Sequence, residues 1–364
     1  MRIAITSPMG EPSDPKTWSS APANLSRALQ AQGADMVFVN SAVVSKFDKM
    51  AIAATNILNR HSLGHFSRFP AARAKMAKHV SARARAAEVE HILCCTSLDA
   101  PVTSDIPYSL WIDDSWHLHH KGRLSPGFNQ STMTMLDELD RTAFQRAHKV
   151  LTFSHYLRDD IISHYGIAPD RVVAVGCGSG ELPPFHEEKS YQDGHLLFVA
   201  KHQFDIKGGA LLLDAWPLIR EERPQTQLVI VGNEHGLSQA KNILGITGHG
   251  FVSREELNRL FYGAAMLVQP MLGDPWGQVY LEAMKAKAIV VSLNQAALPE
   301  LSDNGRLAVL IDEPDPQLLA DAVLATYQRE QHDLNKIATE AQKIATENFS
   351  WPAVSKRVLN AVSS

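Results

Sequence analysis

The sequence predicts an α/β protein made of two doubly wound, Rossmann-like domains. Three observations predict it. Short apolar runs alternate with amphipathic segments along the whole chain, as in a parallel sheet covered by helices. The series restarts after a stretch rich in Pro and charge, residues 181–194. The 364 residues also suffice for two cores.

In the first half, strands are expected at Arg2–Thr6, Met36–Val39, His91–Cys95, Tyr108–Ile112, Val150–Phe153 and Val172–Val175. Helix Ala21–Gln32 stops at Gly33, a residue suited to a helix end. Helices Met133–Ala147 and Tyr156–Tyr165 follow. Together these make a domain over residues 1–180, with 181–194 as linker. A second domain, 195–348, is read from strands His195–Ala200, Gln227–Val231, Met266–Gln269 and Ala288–Ser292. Its helices are Gly209–Glu221, Arg254–Tyr262, Gln278–Lys287 and Pro316–Gln328. Ser253 with Glu256 forms an S-x-x-E capping box for one of them. An amphipathic segment, 349–364, closes the chain.

Composition sets bounds on function. A formal net charge of -4 gives no global drive towards nucleic acid. Cys94, Cys95 and Cys177 make neither a disulfide framework nor a C-x-x-C metal site, which suits a reducing compartment. The first apolar run is too short for a signal peptide and ends at Pro8. No apolar run approaches the length of a membrane span. A cytoplasmic location is therefore expected, with any membrane contact peripheral.

Three groups of residues carry chemistry. Lys201 and Lys207 lie in the loop after strand His195–Ala200, and Gly208-Gly209 opens the next helix. Small residues there let backbone N–H groups approach an anion, and two lysines suit a diphosphate. Asp274-Pro-Trp276-Gly277-Gln278 leads into a helix with Glu282 in its second turn. These carboxylates can accept hydrogen bonds from sugar hydroxyls without a shifted pKa, or Asp274 can simply cap the helix. The third signal is order: Lys-Gly-Gly, then Val229-Ile-Val-Gly232, then Gly250-Phe-Val-Ser253, then Asp274-x7-Glu282, then Leu298-Pro-Glu-Leu301.

This ordered set resembles the retaining family 4 glycosyltransferases of the GT-B fold, over roughly Leu196 to Ala325. Weaker agreement extends through Leu139–Ala147, Leu151–Ser154 and Tyr165-Gly166. The resemblance implies a nucleotide diphosphate-sugar donor, bound as co-substrate in a cleft between two Rossmann-like domains, with no cofactor and no metal. Lys207 would bind the diphosphate, and Lys201 would replace the usual Arg, keeping charge but losing the bidentate fork. Phe251, Val252 and Ser253 would lie against the nucleobase, and Glu282 would hold the ribose. Asp274 stands where the family usually has Glu and would contact the donor sugar. The backbone at Trp276 and Gly277 would face sugar and phosphate, with Gln278 beside it. On the acceptor side, Gly10, Trp18 and Ser19 follow the first strand, while by the resemblance Asp113, Asp114 and Trp116 would lie near the reacting sugar, with Asp113 favoured as catalytic. The acceptor would be a sugar, a lipid-linked molecule or another small molecule. The terminal helix would cross back to the first domain.

Two rival readings are carried: a GT-B enzyme of another class, such as an epimerase or phosphorylase, and a non-catalytic sugar-nucleotide-binding protein. Gly176-Cys-Gly-Ser-Gly180 is not a full dinucleotide fingerprint and reads as a tight turn. His117, His119 and His120 lack the partners of a zinc site. Ser154 beside His155 lacks a third, orienting group. Met50 to Ala87 carries no Asp or Glu, but has Arg60, Arg68, Arg73, Lys75, Lys78, Arg83 and Arg85, with Phe66 and Phe69. That basic segment, 60–85, could contact anionic lipid at the inner face of a membrane, or be a solvated helix.

Overall fold

A computed structural model describes residues 1–42, 45–58, 66–121 and 128–364. The chain divides into two compact units. One takes in Met1–Lys121, residues 128–178 and Trp351–Ser364; the other is Ser179–Ser350.

The first unit contains β1 (Arg2–Ser7), α1 (Ala21–Ala31), β2 (Asp35–Asn40), α2 (Lys46–Leu58), α3 (Pro70–Ala86), β3 (His91–Cys94), β4 (Tyr108–Ile112), α4 (Trp116–Lys121), α5 (Gln130–Arg146), β5 (Val150–Thr152), α6 (His155–Ser163) and β6 (Val172–Ala174). Its six strands pair in parallel in the order β2-β1-β3-β4-β5-β6. The strands are apolar on both faces because helices cover both, so they read as near-continuous runs. Ala4, Ile92, Leu110, Val150 and Phe144 meet in one core. Gly33, at φ 90°, takes the left-handed conformation that ends α1.

Asp99 is fully buried and ties the carboxyl ends of three strands together. It accepts hydrogen bonds from Thr6 and Ser41, both at 2.6 Å, and from Thr96 at 3.1 Å. Burial pushes its carboxyl up, and the three hydroxyl donors oppose that rise.

The second unit runs β7 (His195–Ala200), α7 (Gly209–Glu222), β8 (Leu228–Gly232), α8 (Glu234–Gln239), β9 (Ile246–His249), α9 (Arg254–Gly263), β10 (Ala264–Val268), α10 (Gln278–Lys285), β11 (Ile289–Leu293), α11 (Leu298–Leu301), β12 (Val309–Ile311), α12 (Pro316–Tyr327) and α13 (Gln331–Glu347). Its parallel sheet is ordered β12-β11-β10-β7-β8-β9. Both units are therefore doubly wound, and the fold class is the one the alternation predicts. Residues 181–194 are not a free tether. Tyr191 is buried in this unit's core, and Lys189 is buried with its ammonium donating to the carbonyls of Phe261 and Ala264.

The last helix, α14 (Trp351–Ser363), packs on α1 in the first unit. The Gln32 amide donates to Pro352 O and Ser355 Oγ. Trp351 lies against Gly178, where a Cβ would overlap the indole. So the run 176–180 is more than a tight turn: it holds glycine where another ring needs the room.

Candidate functional site

The second unit brings together most of the residues singled out in its sequence. β7 ends at Ala200, and the loop to α7 carries Lys201 and His202 in solvent and Lys207 partly buried. Gly208 caps α7 at φ 88°, and a Cβ there would run into the carbonyl of Pro270. Only glycine suits that position, both by conformation and by room. Gly209 packs on the ring of Phe204, again too closely for a side chain.

The Lys207 ammonium is hydrogen-bonded to Oδ2 of Asp274. Oδ1 of Asp274 accepts from the backbone N–H of Trp276 at 3.1 Å and of Gly277 at 2.8 Å. Asp274 thus ties down the turn that leads into α10, rather than capping the helix itself, and binds the cation at once. Burial pushes its carboxyl up, but Lys207 and the two N–H groups outweigh this and hold it below its ordinary value. With about two acceptor positions per oxygen, one position on Oδ2 remains for a further donor.

Glu282 stands on the next turn of α10, against Gly180. Burial raises its carboxyl to about 7, partly opposed by Arg254 and Lys285. Accepting hydrogen bonds from hydroxyls needs no shifted pKa, yet the fold holds one of the two carboxyls low and the other high. Lys285 donates to Ser179 Oγ at 3.2 Å and to Gly180 O at 3.1 Å. Arg254 opens α9 immediately after Phe251, Val252 and Ser253, which places that loop on the Glu282 side. Phe251 is exposed, edge-on to His202. Ser253 caps α9 through the Glu256 N–H, at 3.2 Å. The Glu256 carboxylate instead takes both arms of Arg259, at 2.8 and 2.6 Å. Trp276 is buried on Phe349, so only its backbone lines the turn. Gln278 is the first helical residue after Gly277, which sits at φ 72°.

Gln269 is the residue the motifs missed. It is fully buried at the end of β10, accepting from Val199 N–H at 2.9 Å and donating to Lys207 O at 3.3 Å. The signal was present as one polar side chain closing an otherwise apolar strand, Ala264–Val268. Lys285 was likewise unmarked, and Gly180 was read only as part of a tight turn, because their roles depend on a neighbour distant in sequence.

The first-unit candidates are grouped by themselves. Gly10 is held at φ 144°, where a Cβ would crowd Thr17 Oγ1. Trp18, Ser19 and Ser20 are all left-handed, at φ 42°, 53° and 66°. That run lays Trp18 on Phe153 and on the edge of Trp111, over the ends of β5 and β4. Asp113 directly follows β4, near the buried thiols of Cys95 and Cys177; burial raises both thiols and the Asp113 charge adds to it. Asp114 bonds His119 at 3.0 Å. The Trp116 ring is turned into a small core with Phe69, Met133 and Leu136.

Among the described residues, no group of three or more His, Cys, Asp or Glu side chains is placed to hold a metal ion. His117 instead bonds Asp160 and stacks on His164, ring centroids 3.5 Å apart. Ser154 caps α6 through Leu157 N–H. No described helix is long and apolar enough to cross a membrane. In the basic segment, Arg73 pairs with buried Asp140 at 2.8 Å, Lys75 with Asp48, and Arg85 with Asp105. Arg68 lies over the Trp116 ring. Phe69 is buried, while Arg60 and the side chain of Phe66 lie outside the described residues.

Residues 193–329 match the family model for glycosyl transferases group 1. That match lies wholly within the second unit, whose sequence is similar to the group 1 glycosyl transferases. The chain is similar to the D-inositol 3-phosphate glycosyltransferase of Paenarthrobacter aurescens, 27% identical over 53% of this chain and 52% of that one. The O-antigen chain mannosyltransferase B of Escherichia coli is 25% identical over 59% of this chain and 60% of its own. The chain thus spans little more than half the length of these relatives. Solved structures show a likeness of fold over the full length of the chain. Sucrose-phosphate synthase from Thermosynechococcus elongatus has TM-score 0.77 at 15% identity, covering 100% of this chain and 98% of that one. Anabaena Alr3699/HepE, solved with UDP and glucose, has TM-score 0.70 at 17% identity and covers 100% of both.

Proposed function

We propose that this chain transfers a hexose or related sugar from a nucleotide diphosphate-sugar to an acceptor hydroxyl, with retention at the anomeric carbon. The observation that carries the reading is the linked set on α7 and α10: Lys207 held by Asp274 at one helix start, and Glu282 one turn further along. Lys207, with Lys201 and the N–H groups at Gly208-Gly209, meets the departing diphosphate. Glu282 takes the ribose hydroxyls, and the open position on Asp274 Oδ2 takes a sugar hydroxyl. The loop 251–253 lies beside the base. The Anabaena relative's complex with UDP and glucose supports a uridine nucleotide as the first donor to try.

No protein nucleophile is assigned. Rate acceleration comes from positioning the acceptor and stabilising the leaving group, without metal or cofactor, and Asp113 is the first-unit residue proposed to take part. Three free, buried cysteines suit a cytoplasmic site of action. The acceptor is a sugar, a lipid-linked molecule or another small molecule. Peripheral contact with anionic lipid through residues 60–85 has weaker support, since Arg73, Lys75 and Arg85 are already paired.

The test is product analysis with nucleotide-sugars and simple acceptors, following anomeric configuration by NMR. Transfer that disappears in Glu282→Ala supports the reading. Conversion of the donor without any acceptor to an isomeric nucleotide-sugar would indicate an epimerase. No donor turnover above background would leave a binding protein.

A further inference from the structure

Helix α2 carries apolar side chains on two opposite sides. Ile52 is buried against Ala72 and Met76 of α3, and Asp48 pairs with Lys75 of α3 at 2.9 Å. That side is docked. On the other, Phe47 is 84% exposed, Leu58 83%, Met50 71% and Ile57 61%. At 3.6 residues per turn these four, with exposed Ala51 and Ala54 between them, occupy one arc of about 120°. The remaining exposed large apolar side chains of the described residues are scattered, such as Met9, Leu244 and Leu318. A contiguous apolar stripe facing water marks a surface that is covered in use.

The surrounding charge selects what covers it. Lys46 and Lys49 border one edge of the arc, and Lys78 and Arg83 of α3 are exposed. Between Met50 and Ala87 there is no acidic residue. A second copy docked through this same face would bring like charges together, whereas an anionic surface neutralises them. We propose that α2 lies in an anionic lipid surface, with its Phe47–Leu58 stripe at the acyl boundary and Lys46 and Lys49 at phosphate level. The contact moves from the basic helix α3 to the apolar stripe on α2. It rests on the peripheral-membrane reading above, but not on sugar transfer.

The experiment is co-sedimentation of the full chain with phosphatidylcholine vesicles, with and without phosphatidylglycerol, at low and high salt. Wild type should bind the anionic vesicles at low salt. The triple variant Phe47→Ser, Met50→Ser, Leu58→Ser should partition about tenfold less or weaker still. Its circular dichroism and Tm should match wild type, because all three side chains are exposed. Lys78→Ala with Arg83→Ala should lower binding less. A triple variant that sediments like wild type while the α3 variant loses binding would overturn the assignment to α2. Wild type bound to neither vesicle would overturn membrane contact altogether. A wild-type dimer that the triple variant dissolves would assign the stripe to a second copy and overturn the lipid assignment.

Discussion

Glu282 reaches from the second turn of α10 to Gly180, and its carboxylate occupies the space a side chain at Gly180 would need. The glycine is therefore a positioning residue for the proposed ribose ligand. Gly180→Ala should displace the carboxylate and weaken nucleotide binding about tenfold, some 1.4 kcal/mol, as read by isothermal titration with UDP and the other nucleoside diphosphates. Unchanged affinity would mean that Glu282 is not held in its binding position by Gly180.

The raised Glu282 carboxyl gives a pH dependence with a definite sign. Its folded value, about 7, lies above the ordinary glutamate value of 4.5, so the folded state holds the proton more tightly than the unfolded one. This group costs nothing below the unfolded value. Its cost grows as pH rises from there to about 7, and is then constant, on the order of 3 kcal/mol. Glu282→Gln should match wild-type stability at pH 4 and exceed it at pH 8 in urea unfolding. Nucleotide affinity should show the opposite benefit: it should rise through pH 7 in wild type and lie flat in Glu282→Gln.

Lys207 and Asp274 should act as a unit. Lys207→Ala leaves a partly buried carboxylate with only two backbone donors, a loss of about 1–3 kcal/mol in stability along with most donor affinity. The Asp274 carboxyl is depressed in the folded state, so the pair's contribution is present above the unfolded value of 3.8 and fades as pH falls through the lower folded value. A double-mutant cycle with Asp274→Ala should return a coupling of about 1–3 kcal/mol. Strict additivity would contradict the pairing.

Gln269→Leu should remove the clamp between Val199 and Lys207. Leaving that partly buried N–H and carbonyl without their amide partner costs about 1 kcal/mol, visible as a lowered Tm. Donor affinity should fall as well, because the Lys207 loop loses its tie to β10. A Tm loss without any change in affinity would restrict Gln269 to a structural role.

Legibility in the sequence followed burial and locality. Strands covered on both faces, such as Tyr108–Ile112 and His195–Ala200, stood out as apolar runs at their observed positions. The edge strands β9 and β12 did not, since β9 is half exposed and β12 has three residues. α13 was missed, although Leu334, Ala338, Ala341 and Ala345 make one buried face. Site residues fixed by a local backbone turn, such as Gly208 and Gly277, could be read from their motifs. Gln269, Gly180 and the raised Glu282 carboxyl could not, because each depends on a partner brought near only by folding. The exposed stripe on α2 is invisible for the same reason: periodicity places apolar residues on a helix, but only the fold reveals which face is left uncovered.

The most direct measurement for the donor site is a thermal-shift panel with UDP-, GDP-, ADP- and CMP-sugars on wild type and Glu282→Ala. A ligand that binds only the folded state raises Tm by mass action. The account predicts a clear rise with one nucleotide series in wild type and its loss in the variant. No rise with any nucleotide-sugar, or an equal rise in Glu282→Ala, would contradict it.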